Sequence, residues 1–85
     1  MPEVEVGTVQ HYFEKIGVGM VKMTQGEVSI GDTIHVKGAT TDFTIAIPSM
    51  QVQRQPVQTA KAGDEAGIKL DNRVRQNDKV YKVTA

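Results

Sequence analysis

Apolar and polar positions alternate along most of this chain. Between residues 42 and 47, Phe43, Ile45 and Ile47 fall on one face and Thr44 and Ala46 on the other. A repeat of two is the pattern of a β-strand with one face in a core. No window repeats apolar residues at the three- and four-residue spacing of a stable helix. The alternation therefore predicts strands. It recurs at residues 33–37, 68–70 and 81–83.

The apolar composition supports the same conclusion. Val occurs 12 times, Ile six times and Leu once in 85 residues. β-Branched side chains lose rotamer freedom in a helix and suit the pleated surface of a sheet. We therefore expect an all-β protein.

Turn signals separate the predicted strands at short intervals. Three segments share one device, in which Gly or Asn is followed directly by Asp: Gly31-Asp32, Gly63-Asp64 and Asn77-Asp78. Gly and Asn tolerate positive φ, and an Asp side chain caps a tight turn. Six or seven short strands joined by such turns fit one domain over residues 1–85. We expect a small closed β-barrel, because closure removes the exposed edges of a sheet.

Composition and charge exclude several classes of protein. The chain has ten basic and ten acidic residues and no Cys, so disulfides and thiolate sites are excluded. Neither a transmembrane run nor a secretory signal is recognisable, and we expect a cytoplasmic protein without membrane association. Zero net charge argues against non-specific binding of nucleic acid.

Five motifs in order resemble a known family. They are V-G-T-V at 6–9, G-E-V-S-I-G-D-T-I at 26–34, S-M-Q-V at 49–52, P-V-Q-T-A-K-A-G-D-E-A-G-I at 56–68 and V-R-Q-N-D-K-V-Y at 74–81. Together they resemble domain II of the translational GTPases, the β-barrel that follows the G domain in elongation factor Tu. The resemblance implies a barrel of this type. It does not extend to nucleotide binding, because Asp32 and Thr33 replace the Lys-Ser/Thr of a phosphate-binding loop.

Other segments resemble two narrower groups. H-Y-F-E-K-I-G-V at 11–18, T-T-D-F at 40–43 and S-M-Q at 49–51 are similar to free-standing proteins labelled translation elongation factor-like. They are also similar to the C-terminal barrel of collagenase-like peptidase-family enzymes. Where factors that carry tRNA commonly have an acidic residue near the aminoacyl-adenosine pocket, this chain has Gln51.

No catalytic or metal-binding constellation is recognisable in the sequence. His11 and His35 are the two imidazoles, and they lack the local spacing of metal ligands. Neither Ser29 nor Ser49 has a supporting His-Asp arrangement nearby. We expect no enzyme activity, no metal and no cofactor.

Binding residues are more readily proposed. The segment 51–55 is unusually rich in amides and guanidinium groups, and it ranks first among the candidates. Aromatic and cationic side chains are also suited to single-stranded RNA. Each candidate has an ordinary alternative, as a core aromatic or a surface ion pair. The candidate residues are Gln51, Gln53, Arg54, Tyr12, Lys15, Arg73 and Arg75.

Two functions from different classes follow. The first is a non-catalytic binding module that associates with RNA or ribosomal components in translation or RNA modification. The alternative is a protein–protein adaptor that binds a larger protein, a stand-alone counterpart of an enzyme accessory domain. Homo-oligomerisation is compatible with both, because a domain of 85 residues has a small core.

Overall fold

Every regular element of the protein is a β-strand in the computed structural model, which describes residues 3–83. The all-β prediction is therefore confirmed. None of the described residues forms a helix long and apolar enough to cross a membrane. The strands are β1 (Glu3–Phe13), β2 (Val18–Met23), β3 (Glu27–Ser29), β4 (Thr33–Lys37), β5 (Asp42–Ala46), β6 (Met50–Val52), β7 (Gln55–Pro56), β8 (Thr59–Lys61), β9 (Glu65–Lys69) and β10 (Lys79–Val83).

The strands form two antiparallel sheets rather than one closed barrel. Eight strands form an open sheet in the order β5-β4-β10-β1-β2-β9-β6-β7, and β3 pairs with β8 separately. The prediction of a closed barrel of six or seven strands was therefore wrong. Edge strands β5 and β7 do not pair with each other, so the sheet has two edges within residues 3–83.

The connection between β5 and β6 is hydrogen-bonded to the turn that precedes β4. The Ile47 amide donates to the Asp32 carbonyl at 2.9 Å, and the Ile47 carbonyl accepts from Gly31 at 3.0 Å. Pro48 follows and has no N–H to extend a ladder. The separate β3–β8 pair covers the core here with Val28 and Ala60, both fully buried.

The long strand β1 bends at two places. Its register shifts against β10 between Glu5 and Gly7, and against β2 between Val9 and His11. Such bulges bend a strand and increase its twist, so the sheet curves around a single core. The buried apolar side chains are Val6, Val9, Val21, Met23, Val28, Ile34, Val36, Ile47, Met50, Ala60, Ala66, Ile68, Leu70, Val74 and Val80.

The three Asp turns have the geometry that the sequence predicts. In each turn a residue with positive φ precedes an Asp whose carboxylate accepts the backbone N–H three residues earlier. The φ values are 93° at Gly31, 95° at Gly63 and 76° at Asn77. The N–H···O distances are 2.8 Å for Ser29–Asp32, 3.0 Å for Lys61–Asp64 and 2.9 Å for Arg75–Asp78.

Candidate functional site

A groove of about 830 Å³ crosses the outer face of the large sheet over β2, β9 and β6. The turns β1–β2 and β6–β7 stand at its ends. We refer to this surface as the outer groove. Its lining residues are Phe13, Ile16, Val18, Met20, Ser49, Gln51, Val52, Gln53, Arg54, Gly63, Asp64, Glu65, Gly67 and Lys69.

Gly67 forms the floor of the outer groove. It pairs in register with Met20 on β2 and with Gln51 on β6, so it lies at the centre of a three-strand row. An added Cβ would lie 3.2 Å from Val18 Cγ1. The missing side chain therefore lowers the surface between two strands that do carry side chains.

One end of the outer groove is apolar. Phe13, the last residue of β1, is 40% exposed, and Ile16 on the turn between β1 and β2 is 57% exposed. Val18 and Met20 continue this surface along the outward face of β2. Single exposed apolar side chains are common on protein surfaces, whereas a cluster of them indicates an interaction surface.

The other end is polar and has unusual backbone geometry. Gln53 and Arg54 form the two-residue turn between β6 and β7, with φ of 54° and 65°. Successive positive φ values are typical of a type I′ hairpin turn, which Asn-Gly satisfies most easily. Neither Gln nor Arg is a usual choice there, and each adopts an unfavourable conformation.

Most charged side chains around the outer groove form a hydrogen bond or an ion pair within the chain. Lys69 Nζ donates to the Ile16 carbonyl at 2.6 Å, and Glu65 lies 3.9 Å from Lys22 Nζ. Asp64 caps its own turn. Within residues 3–83, Arg54 has no carboxylate within 4.0 Å (the ion pairs are Lys22–Glu65, His35–Glu3, His35–Asp42, Arg73–Glu14 and Lys82–Asp32).

The fold brings together three of the seven candidate binding residues. Gln51, Gln53 and Arg54 line the outer groove. Tyr12 is half-buried and packs against the core, while Lys15 is exposed on the β1–β2 turn outside the lining.

Two further candidates lie away from the outer groove. Arg73 pairs with Glu14 and lines a separate hollow of about 290 Å³ beside Thr40 and Thr41. Arg75 is exposed on the turn capped by Asp78. A binding role for any of the seven residues remains a prediction.

Sequence reasoning did not find the apolar half of the outer groove. Ile16 gave a signal, because it is an apolar residue inside a polar turn between Lys15 and Gly17. Met20 and Gly67 gave no comparable signal. Their meeting depends on the register of β2 and β9, which are more than forty residues apart in the chain.

A second polar cluster surrounds His35 on the other half of the sheet. Nδ1 lies 2.8 Å from Glu3 Oε2, and Nε2 lies 2.5 Å from Asp42 Oδ1. The hydrogen bond to Asp42 raises the pKa of His35 above its ordinary 6.5; Glu3 adds to this effect, and desolvation opposes it. The carboxylates bond opposite ring nitrogens, so they do not converge on one ion. No group of three metal-ligating side chains occurs within residues 3–83.

The described residues form a small antiparallel β domain with a groove on its outer face. Comparison with known proteins indicates which proteins contain a similar domain. No family model matches the chain. It is 35% identical over 80 residues to an uncharacterized protease of Methanocaldococcus jannaschii, covering 93% of this chain and 19% of that protein. It is 32% identical over 81 residues to a collagenase of Porphyromonas gingivalis, covering 94% of this chain and 20% of that protein.

The structural comparison agrees with these relatives. The C-terminal domain of a U32 peptidase from Geobacillus thermoleovorans matches with a TM-score of 0.85 at 17% identity, over 93% of this chain and 91% of that domain. At this identity the match shows the fold alone. The two curated relatives are thus a protease and a collagenase by name, and the chain spans about a fifth of the length of each. These findings support the resemblance to collagenase-like enzymes and not the one to elongation factor Tu.

Proposed function

We propose that this chain is a non-catalytic accessory domain, the counterpart of the C-terminal domain of U32 peptidases, and that it works by binding another protein. One observation carries the proposal. The similarity covers nearly all of this chain but only 19% of the M. jannaschii protease, and the matching fold is that of a separate C-terminal domain. A segment of this kind adds a binding surface to a larger protein.

The surface chemistry favours a protein partner over RNA. The outer groove combines exposed Phe13 and Ile16 with two acidic and two basic side chains, so it has no excess of positive charge. Arg73 and Arg75, which would have extended a phosphate-binding surface, lie outside it. An RNA groove requires several cations along the backbone path.

A chimera tests the accessory function. In the P. gingivalis collagenase, the segment that matches residues of this chain is replaced either by this chain or by a Gly/Ser linker of equal length. We expect the chimera to retain gelatin hydrolysis that the linker variant loses, and the purified chain alone to hydrolyse nothing. Hydrolysis by the chain alone would make it an enzyme. A chimera as inactive as the linker variant would show that it is no counterpart.

Capture of the tagged chain from native lysate separates the two kinds of partner. A protein retained equally with and without RNase supports the adaptor function. Release of the retained material by RNase would support the association with RNA or ribosomal components instead.

A further inference from the structure

We propose that the outer groove binds an extended, acidic polypeptide segment, with an apolar side chain over Gly67 and a carboxylate beside Arg54. The proposal rests on the proposed function, because it specifies the chemistry of the protein partner. Three independent features carry it: the shape of the groove, its exposed apolar end and the guanidinium of Arg54, which has no carboxylate partner among the described residues.

The shape suits an extended chain. From Met20 across Gly67 to Gln51 the groove spans two interstrand spacings, about 10 Å. Its volume of about 830 Å³ exceeds that of a single side chain, and the groove is open along the sheet face. An extended peptide of several residues fits such a trough with alternate side chains directed into it.

The apolar end supplies the driving force. Phe13 and Ile16 are partly exposed, Phe13 with the His11 ring 4.6 Å away between centroids, and Met20 stands beside the glycine floor. Covering this surface with a Leu or similar side chain removes apolar area from water on both partners. Gly67 has no side chain of its own here, and the Val18 methyl group, 3.2 Å from the place of a Cβ, forms the wall against which that group would pack.

The guanidinium of Arg54 favours a carboxylate at one point of the partner. Lys69, Glu65 and Asp64 already have partners within the chain. Arg54 has none within 4.0 Å in the described range, and it offers five N–H donors that match a carboxylate. The neighbouring amides of Gln51 and Gln53 can both donate to and accept from peptide groups.

The backbone of the β6–β7 turn supports a functional role for this end. Gln53 and Arg54 both have positive φ at positions where Asn-Gly would be relaxed. Unfavourable backbone conformations of non-glycine residues cluster at binding sites, where the side chain is needed. Arg54 is exposed to solvent.

The test uses blocked heptapeptides of Gly and Ser that carry one Leu and one Glu, one to four residues apart in either order. Matched peptides carry Gln in place of Glu. Binding is followed through the ¹⁵N–¹H spectrum of the whole chain. We expect at least one Glu peptide to shift the amides of Met20, Gln51, Arg54 and Gly67, and its Gln counterpart to bind at least fivefold more weakly.

Two variants make the test specific. Arg54→Gln should reduce the affinity for the Glu peptide to that of the Gln peptide. Arg75→Gln, the same change on an exposed arginine outside the groove, should leave it unaltered. Equal binding by Arg54→Gln, or shifts outside the groove for every peptide, would overturn the proposal. So would tighter binding of a uridine decanucleotide at the same amides.

The peptide titration can be interpreted separately from the test of the accessory function. Peptide binding by the purified chain requires no enzyme, so it stands or fails independently of the collagenase chimera. An active chimera, together with peptides that shift no amide of the groove, would support the accessory function and refute peptide binding in the groove.

Discussion

At the scale of single residues, His35 bridges two carboxylates. Its ring joins three strands of the sheet, since it belongs to β4 and bonds Glu3 on β1 and Asp42 on β5. The Tyr81 ring lies 6.2 Å away between centroids. Protonated His35 donates from both nitrogens, so this arrangement is most favourable when the imidazole is charged and both carboxylates are ionised.

We therefore expect a pH-dependent contribution of His35 to stability. Its pKa is raised in the folded state, so the contribution is fully present below the ordinary value of 6.5. It is lost as pH rises through the folded pKa. Thermal unfolding of the natural chain and of His35→Gln should differ more at pH 5.5 than at pH 8.5. A difference that is constant over this range would contradict the assignment.

At the scale of elements, the turns determine where strands begin. The three Asp turns use the same hydrogen bonds, yet their surroundings differ. Asp78 is 5% exposed and its turn also bonds β1, with the Val9 amide donating to the Asp78 carbonyl at 2.8 Å. Asp64 is half-exposed, although its carbonyl likewise accepts the Met23 amide of β2 at 2.9 Å. The same residue type therefore contributes differently at the two places.

Replacing each Asp by Ala should lower the free energy of unfolding by different amounts at the two turns. Asp64→Ala loses one exposed cap and should cost about 1 kcal/mol. Asp78→Ala leaves the Arg75 N–H without its acceptor beside a buried position, and should cost about 1–3 kcal/mol. Urea unfolding of both variants measures the difference. Equal losses would mean that burial of Asp78 adds nothing to the cap.

Replacement of the residues in the β6–β7 turn should increase the stability of the protein. The double replacement Gln53→Asn and Arg54→Gly puts the preferred residues of a type I′ turn at φ of 54° and 65°. We expect a gain of about 1–2 kcal/mol in the free energy of unfolding. The same variant should lose binding of the Glu peptides. A variant that is no more stable would show that the turn is not strained.

At the scale of the whole molecule, an open sheet of eight strands and a separate pair share one core. Val28 of β3 and Ala60 of β8 are fully buried in the same apolar cluster as the large sheet. Small domains unfold as a unit when their core is continuous. The two-stranded sheet should therefore unfold together with the large one.

A substitution in the small sheet tests this cooperativity. Val28→Ala removes about two methylene equivalents from the core and should cost about 2 kcal/mol. Both tyrosines, Tyr12 and Tyr81, belong to the large sheet, so their fluorescence reports on it alone. The tyrosine and circular dichroism midpoints in urea should fall together. Val4→Ala, at a position 48% exposed, should change them little. A shift seen by only one probe would contradict a single unit.

Local features of the chain were predictable from the sequence. Alternation, valine content and the Gly-Asp and Asn-Asp turns depend on neighbouring residues, and Phe43, Ile45 and Ile47 do face the core. The composition of segment 51–55 is unusual within one short hairpin, and Gln51, Gln53 and Arg54 of it line the outer groove; their role in binding stays a prediction.

Tertiary structure alone decided the closure of the sheet and the composition of the outer groove. A closed and an open sheet use the same alternation, and they differ in whether two edge strands pair. The register of distant strands brings Ile16, Met20, Gln51 and Gly67 together in the groove. Pairing of distant strands likewise brings Glu3 to His35. These arrangements depend on long-range pairing, whereas a pattern of side chains along one strand specifies only the faces of that strand.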